Sequence, residues 1–384
     1  MDYIPYARQS IDEEDISAVV DVLRSDWLTQ GPKIVEFEKV LADYCGAKYA
    51  VAVSSGTAAL HIACLSAGLT KGKTGWTTPL TFAATANSML YCGAEIDFVD
   101  IDPATLNISV PALKDKLSKR HIKPNVVIPV HFAGLSCDME EIYGLSKEYK
   151  FSIIEDACHA IGGIYKGLKV GSCYYSDMTG FSFHPAKNMT TGEGGMVMTN
   201  DEELYQKLTR YRTHGITRDP KFMINQPDGS WYYEQTELGM NYRITDIQAA
   251  LGISQLKRLD QFNAKRNELV NRYDKAFSEL PIILPPKQED IFSPFHLYVI
   301  RLRLDKIKKT RKEVFDFMKN AGIGVNVHYI PVHLHPYYQR LGFKQGEWAE
   351  SERYYESAIT LPLFPLLTYS DQDRVIAALC KILN

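Results

Sequence analysis

Short apolar runs at 49–53, 95–99, 125–130 and 151–155, set apart by helical or turn-rich stretches, constrain this chain more than any other feature. Strands alternating with segments long enough to hold a helix build βαβ units, and such crossovers make a sheet mainly parallel. A chain of 384 residues exceeds what one hydrophobic core usually organises, so two domains are expected. The α/β domain with the mainly parallel sheet is placed at 12–250. After Asn241 the texture changes, and Pro281, Pro285 and Pro286 interrupt the chain. A smaller α+β C-terminal domain is therefore placed at 251–384, with segment 1–11 packing on it.

Local patterns fill in this outline. Ser10 with Glu13 reads as a capping box, and Ile16, Val19, Val20 and Leu23 then share one helical face. A second amphipathic helix begins near Lys33, with Ile34, Phe37, Val40, Leu41 and Tyr44 inward. Runs at 178–183 and Gly195–Thr199 form a hairpin or a return strand. A long helical stretch over 245–277 carries Arg and Lys on its outer face and bridges the domains. The smaller domain reads as a strand at 296–304, a helix capped by Thr310 and Glu313 and stopped at Gly322, a strand at 323–327 and a terminal helix from near Ser370.

Composition narrows the class of protein. Hydrophobic content of 45% with 23% charged residues is that of a soluble globular chain. A formal net charge of −3 with mixed signs offers no basic footprint, so a nucleic-acid partner is not expected. The seven cysteines form no CxxC pair, and the start Met1-Asp-Tyr-Ile-Pro is polar and acidic. A disulfide framework and secretion are both disfavoured, no apolar stretch has membrane-spanning length, and a cytoplasmic location is expected. His333 and His335 lack an acid or cysteine at ligand spacing, so no metal site is assigned.

Three segments carry chemistry. In the first, a β-rich run ends in Ser54-Ser55-Gly56-Thr57 and passes straight into an apolar helical pattern. Backbone N–H groups and hydroxyls at a helix N-terminus suit a phosphate, although an ordinary N-cap has the same look. In the second, an apolar strand runs into Glu155-Asp156. An acid at that end can point at a ligand, or can merely cap the next helix. In the third, Lys187 lies among Phe181, Phe183, Pro185, Ala186 and the glycines Gly192, Gly194 and Gly195. A desolvated lysine is a good Schiff-base nucleophile, whereas most lysines are surface groups. Together, a phosphate cradle, an acid able to keep a pyridine nitrogen protonated and a lysine are what pyridoxal 5′-phosphate (PLP) requires.

That order of features is the one found in the large aspartate aminotransferase-like fold of PLP enzymes, fold type I. The chain is moreover similar to the DegT/DnrJ/EryC1/StrS sugar aminotransferases. The matching segments are Ser25-Asp-Trp-Leu-Thr-Gln-Gly-Pro32, Ser55-Gly-Thr-Ala-Ala-Leu60, Thr77 to Asn87, Glu155-Asp156-Ala157, Phe181 to Lys187, Gly192-Glu-Gly-Gly195, Arg212-Thr-His-Gly215 and Gly239-Met-Asn-Tyr-Arg243. They lie in family order over most of the chain.

The resemblance implies that Lys187 carries PLP and moves a proton, that Asp156 pairs with the pyridinium nitrogen, and that Ser55, Gly56, Thr57 and Ser182 hold the phosphate. It places Phe82 over the ring, where the residue type alone would suggest a core aromatic. It implies that Asn241 reaches the phosphate of a neighbouring subunit in a homodimer. Arg243 is either a ligand for a donor carboxylate or substrate phosphate, or a surface salt bridge. His328, Tyr329 and His335 would line the sugar-nucleotide pocket. His159 stands where many members carry Gln against the ring hydroxyl, leaving its tautomer open. The N-terminal start and the 328–338 tail resemble the subgroup that aminates a UDP-linked 4-keto-6-deoxy-N-acetylhexosamine on the pseudaminic acid route, with L-glutamate as donor. Its rivals are a PLP- or PMP-dependent sugar dehydratase, whose branch replaces the lysine with histidine, and a non-catalytic regulator on the same fold.

Overall fold

The computed structural model describes residues 2–120 and 122–383. Residue 1 of the segment expected to pack on the smaller domain therefore lies outside the described residues. Two helices, α1 (Glu13–Leu23) and α2 (Pro32–Cys45), precede the first strand. A central run follows: β1 (Tyr49–Val53), α3 (Gly56–Ser66), β2 (Thr74–Thr77), α4 (Ala83–Tyr91), β3 (Glu95–Phe98), α5 (Val110–Lys119), β4 (Val126–Ile128), α6 (Met139–Tyr149) and β5 (Ser152–Asp156). After a short hairpin, β6 (Ile164–Tyr165) and β7 (Leu168–Lys169), come β8 (Met178–Ser182) and β9 (Gly195–Thr199). The large sheet has seven strands in the order β1-β9-β8-β5-β4-β2-β3. Only β9 runs against the others, pairing antiparallel with both β1 and β8. The return strand expected at 195–199 is thus this inserted β9.

Strand alternation splits the β1 side chains between two cores. Ala50 and Ala52 pack with Phe37 and Leu41 of α2, whereas Val51 and Val53 pack with Leu60 and Ile62 of α3. The expected inward face of α2 is observed, with Ile34, Phe37 and Leu41 buried and Val40 and Tyr44 partly so. One central strand, β2, has no counterpart among the sequence expectations. Its Thr74-Gly-Trp-Thr segment has a single large apolar residue, yet all four residues are buried. A Cβ on Gly75 would overlap Met89 Sδ, so α4 packs closely on this strand.

The first helix departs from expectation. Its N-cap is Asp12, and the capping box closes with Asp15, not with Ser10 and Glu13. Ile16 and Leu23 stay exposed at 47% and 55%, while Asp15 and Val22 are buried. Tertiary polar contacts draw that face inward: Asp15 accepts from Gln255 Nε2 at 2.6 Å and pairs with Arg258.

Beyond β9 lie α7 (Glu202–Arg212) and a two-stranded ribbon, β10 (Ile216–Thr217) with β11 (Glu234–Gln235). The stretch 245–277 is two helices, α8 (Asp246–Leu256) and α9 (Leu259–Phe277). Leu259 of α9 packs with α2, and its Leu269, Tyr273 and Phe277 pack in the C-terminal core, so it joins the two. Its cations are not all outward. Arg266 is 1% exposed, and its Nη1 donates to the carbonyls of Phe295, His296 and Leu363 at 3.4, 3.2 and 2.9 Å.

The C-terminal part holds β12 (Ile282–Ile283), β13 (Ile291–Phe292), which pairs with β6, β14 (Tyr298–Leu302), α10 (Arg311–Asn320), α11 (Pro336–Arg340), α12 (Ala349–Ser357), β15 (Ala358–Leu361) and α13 (Tyr369–Leu383). Strands β12, β14 and β15 form a three-stranded antiparallel sheet. Thr310 and Glu313 form the expected capping box of α10. No strand spans 323–327: Ile323 and Asn326 make only single bridges, to Ile4 and Thr360. The bridge from Ile4 seats the N-terminal segment on this part of the chain.

Candidate active site

Parallel strands place their C-terminal ends on one edge of a sheet, and ligands of α/β folds bind beyond that edge. Here a cavity of about 840 Å³ opens there. Its walls include Ser55, Gly56 and Thr57 after β1, Phe82 and Thr85 after β2, Asp156, Cys158 and His159 at the end of β5, and Ser182 at the end of β8. Lys187, on the loop between β8 and β9, and His328 and Tyr329 close it from the other sides.

Ser55 is the N-cap of α3, and its side chain accepts from Ala58 N at 3.1 Å. The ordinary capping role is therefore filled, and the same helix end still faces the cavity. The cradle is built without room for side chains. A Cβ on Gly56 would sit 2.7 Å from Ser182 Cβ, and one on Gly195 would overlap the Ser55 carbonyl oxygen. A helix N-terminus lined by hydroxyls and bare backbone is a site for a phosphate.

Across the cavity, Asp156 is 6% exposed. Thr85 Oγ1 donates to its Oδ2 at 2.6 Å, and the Cys158 N–H donates to Oδ1 at 3.2 Å. Because Thr85 spends its only proton on Asp156, it must accept from Thr81 Oγ1, 2.7 Å away. The adjacent Glu155 points to the opposite face of the strand, where it meets His131 Nε2 at 2.7 Å. Period-two alternation separates the two acids, so that of this pair Asp156 faces the cavity.

Lys187 has its pKa lowered from the ordinary lysine value. Burial is the main cause, opposed by the nearby Cys158 and Asp156. This raises the fraction of neutral, nucleophilic amine. Three histidines surround it as neutral rings. Burial holds His159 and His296 well below the ordinary histidine value, and His328 is pushed down to about 3, with the Lys187 charge adding to burial in each case. His296 Nδ1 is buried without a hydrogen-bond partner among the described residues.

Of the residues singled out in the sequence, ten meet in this cavity: Ser55, Gly56, Thr57, Phe82, Asp156, His159, Ser182, Lys187, His328 and Tyr329. Phe82 is 61% exposed at the mouth, which removes the core-aromatic alternative. Three do not line it. Asn241 and Arg243 bond to each other, Nε to Oδ1 at 2.9 Å, and Arg243 reaches Gln30 at 3.3 Å. Among the described residues these neutral amides are the side-chain partners of Arg243. His335 instead caps the short helix α11 through its backbone. The cavity also gathers Thr85, Cys158, His296, Tyr6 and Asn326, which sequence reasoning did not assign. Thr85, one turn along α4 from Phe82, and Cys158, two residues past Asp156, were within reach of spacing arguments. His296, Tyr6 and Asn326 come from remote segments with no local signal.

The fold and this cavity define a PLP-dependent enzyme of fold type I. Its residues suit that cofactor: a phosphate cradle that a methyl group would fill, a buried carboxylate facing the same space, and a lysine at the same cavity whose pKa burial lowers. The chain belongs to the DegT/DnrJ/EryC1/StrS aminotransferase family, whose model matches residues 9–380. It is a PLP-dependent sugar aminotransferase, as the resemblance implied. It is 41% identical, over 100% of this chain and 97% of the relative, to the spore coat polysaccharide biosynthesis protein SpsC of Bacillus subtilis. It is 38% identical, over 99% of this chain and 98% of the relative, to the UDP-4-amino-4,6-dideoxy-N-acetyl-β-L-altrosamine transaminase of Campylobacter jejuni. Among solved structures, Spr1654 of Streptococcus pneumoniae in its PLP form superposes with a TM-score of 0.90 at 31% identity, covering 100% of both chains.

Proposed function

We propose that this enzyme transfers the amino group of L-glutamate to the keto carbon, C4, of a UDP-linked 4-keto-6-deoxy-N-acetylhexosamine, in the cytoplasm, on a route such as pseudaminic acid synthesis. The observation that carries the reaction class is Lys187, a desolvated amine sharing one cavity with Asp156 and the α3 N-terminus. Support for the sugar and nucleotide comes from full-length similarity to the Campylobacter transaminase. Retention of Lys187 favours amine transfer over the dehydratase alternative, whose branch carries histidine there.

Bound PLP supplies a carbonyl that condenses with primary amines and a ring that withdraws electrons. In this reading Ser55, Thr57, Ser182 and the Gly56 and Thr57 amides hold the phosphate. The Asp156 carboxylate, oriented by Thr85 and the Cys158 amide, keeps the ring nitrogen protonated. Lys187 Nζ takes the proton from the donor's Cα and later delivers one to the sugar carbon. Phe82 shields the open side from water. His328 and Tyr329, neutral and fixed by hydrogen bonds, shape the wall against which the sugar rests.

The chain acts as a homodimer in this reading, with Asn241 and Arg243 serving the other subunit's site. Both lie outside their own cavity, on a chain that exposes Trp231 at 71% and Leu238 at 80%. The division into a large unit, 12–250, and a smaller unit, 251–384, is kept as part of the proposal.

The test is an absorption spectrum of purified enzyme before and after L-glutamate. The expected result is a visible cofactor band that glutamate converts to the pyridoxamine form, with UDP-linked 4-keto sugars then restoring it. Lys187→Ala should show neither conversion nor turnover. Near-normal amination by that variant would overturn the assignment.

A further inference from the structure

His159 and Tyr329 form a pair with one self-consistent arrangement of protons. The backbone N–H of Ala133 donates to His159 Nδ1 at 3.3 Å, and His159 Nε2 lies 3.0 Å from Tyr329 Oη. A neutral imidazole carries a single proton, so with Nδ1 accepting, the proton sits on Nε2 and is donated to the phenol. The ring is 5% exposed and packs against His296 at a centroid separation of 4.4 Å, surroundings that disfavour a charged imidazolium. Tyr329 Oη therefore accepts from His159, and its own hydrogen finds no protein acceptor among the described residues. The phenol ring is held in place by Phe132 and His328, both edge-on. Its hydroxyl stands at the cavity that Lys187 and Asp156 share. Burial, with the nearby Asp156, keeps that hydroxyl protonated and hence a donor.

We infer that Tyr329 is the hydrogen-bond donor to the cofactor's ring oxygen, and that His159 is a positioning residue acting on that oxygen only through Tyr329. The inference rests on the reading of this cavity as the PLP site. It changes the role that resemblance implied for His159, because the Nε2 proton that would have reached the ring hydroxyl is committed to the phenol. The chain of donors, from the Ala133 amide through imidazole to phenol, runs in one direction and ends in the cavity.

The ring oxygen of PLP neighbours the carbon that Lys187 binds, so its negative charge raises the proton affinity of the lysine-linked nitrogen. A phenol donating to that oxygen draws charge away and lowers this affinity. In the reconstituted holoenzyme, the visible band should therefore titrate at higher pH in Tyr329→Phe than in the native enzyme, by about one unit, as loss of one hydrogen bond to a charged group implies. His159→Leu should shift the midpoint the same way by a smaller amount. Added to Tyr329→Phe, it should produce no further shift.

An unchanged midpoint in Tyr329→Phe would overturn the inference, including the case where only the sugar KM rises, which would assign the hydroxyl to substrate. A shift from His159→Leu that persists in the Tyr329→Phe background would overturn the indirect role of His159. Absence of any visible band in the native enzyme would instead refute the cofactor site itself, so the two failures are distinguishable.

Discussion

Adding one methyl group at Gly56 is expected to weaken cofactor binding, and a second substitution is expected to repair it. Gly56 is the first residue of α3 and has ordinary backbone angles, so alanine is not strained there and would by propensity favour the helix. The cost comes from space. The new Cβ would lie 2.7 Å from Ser182 Cβ, 3.0 Å from Ser182 Oγ and 3.3 Å from Cys158 Sγ. Forcing a methyl into a packed site costs about 1–3 kcal/mol, and relief requires the α3 N-terminus or the end of β8 to move. Both carry proposed phosphate ligands. With about 1.4 kcal/mol per tenfold in affinity, Gly56→Ala should raise the PLP Kd by roughly 5- to 100-fold. Ser182→Gly removes both closest atoms and leaves only the Cys158 contact. The double variant should therefore bind PLP more tightly than the two single effects predict, with a coupling of about 1–2 kcal/mol. The assay is equilibrium titration of apoenzyme with PLP, read from the visible band, with thermal denaturation alongside. Native-like PLP affinity in Gly56→Ala, or additive single effects, would refute the packing argument and with it the position of the cradle.

Thr85→Val removes the hydroxyl that donates to Asp156 and should cost about 1.5–3 kcal/mol, since the bond is to a buried carboxylate; urea denaturation of the apoenzyme measures it. Arg266→Met leaves the carbonyls of Phe295, His296 and Leu363 without their shared donor and should lower stability by about 3 kcal/mol, whereas a neutral result would show that relaxation or water replaces the guanidinium. His328 sets a pH dependence of definite sign. Its folded pKa is depressed to about 3, so the unfolded chain, titrating near 6.5, binds a proton that the native ring refuses. Stability from this group is complete above about pH 6.5 and falls by about 1 kcal/mol per unit as pH drops toward 3. His328→Gln should flatten the urea-midpoint profile by that slope between pH 6.5 and 4.5; parallel profiles would show that the ring is charged when folded.

Features carried by contiguous residues are legible in the amino-acid order alone. Tyr49–Val53, Ser152–Asp156 and the inward face of α2 follow from hydrophobic period, which reports burial on a single element. Ser55, Asp156 and Lys187 are legible only in combination, because each alone has an ordinary use and it is their order along the chain that singles them out. Other features depend on partners distant in sequence. Strand β2 is buried by its neighbours on both sides, so Thr74 and Thr77 need no apolar pattern to be interior. The face of α1 is misread from periodicity because Gln255 and Arg258, some 240 residues away, draw in Asp15 and leave Ile16 and Leu23 exposed.

The same division runs through the site. Residue chemistry names the lysine, the acid and the cradle, because bond-forming groups are properties of single side chains. Their states are properties of surroundings. The lowered pKa of Lys187 and those of three histidines arise from burial in a cavity assembled from segments remote in sequence. The tautomer of His159, and with it the direction of its hydrogen bond to Tyr329, is set by the Ala133 amide, and no local spacing connects either residue to it. Local sequence selects which groups are present, while desolvation and hydrogen-bond direction act through space, where residues such as Ala133, His159 and Tyr329 first become neighbours.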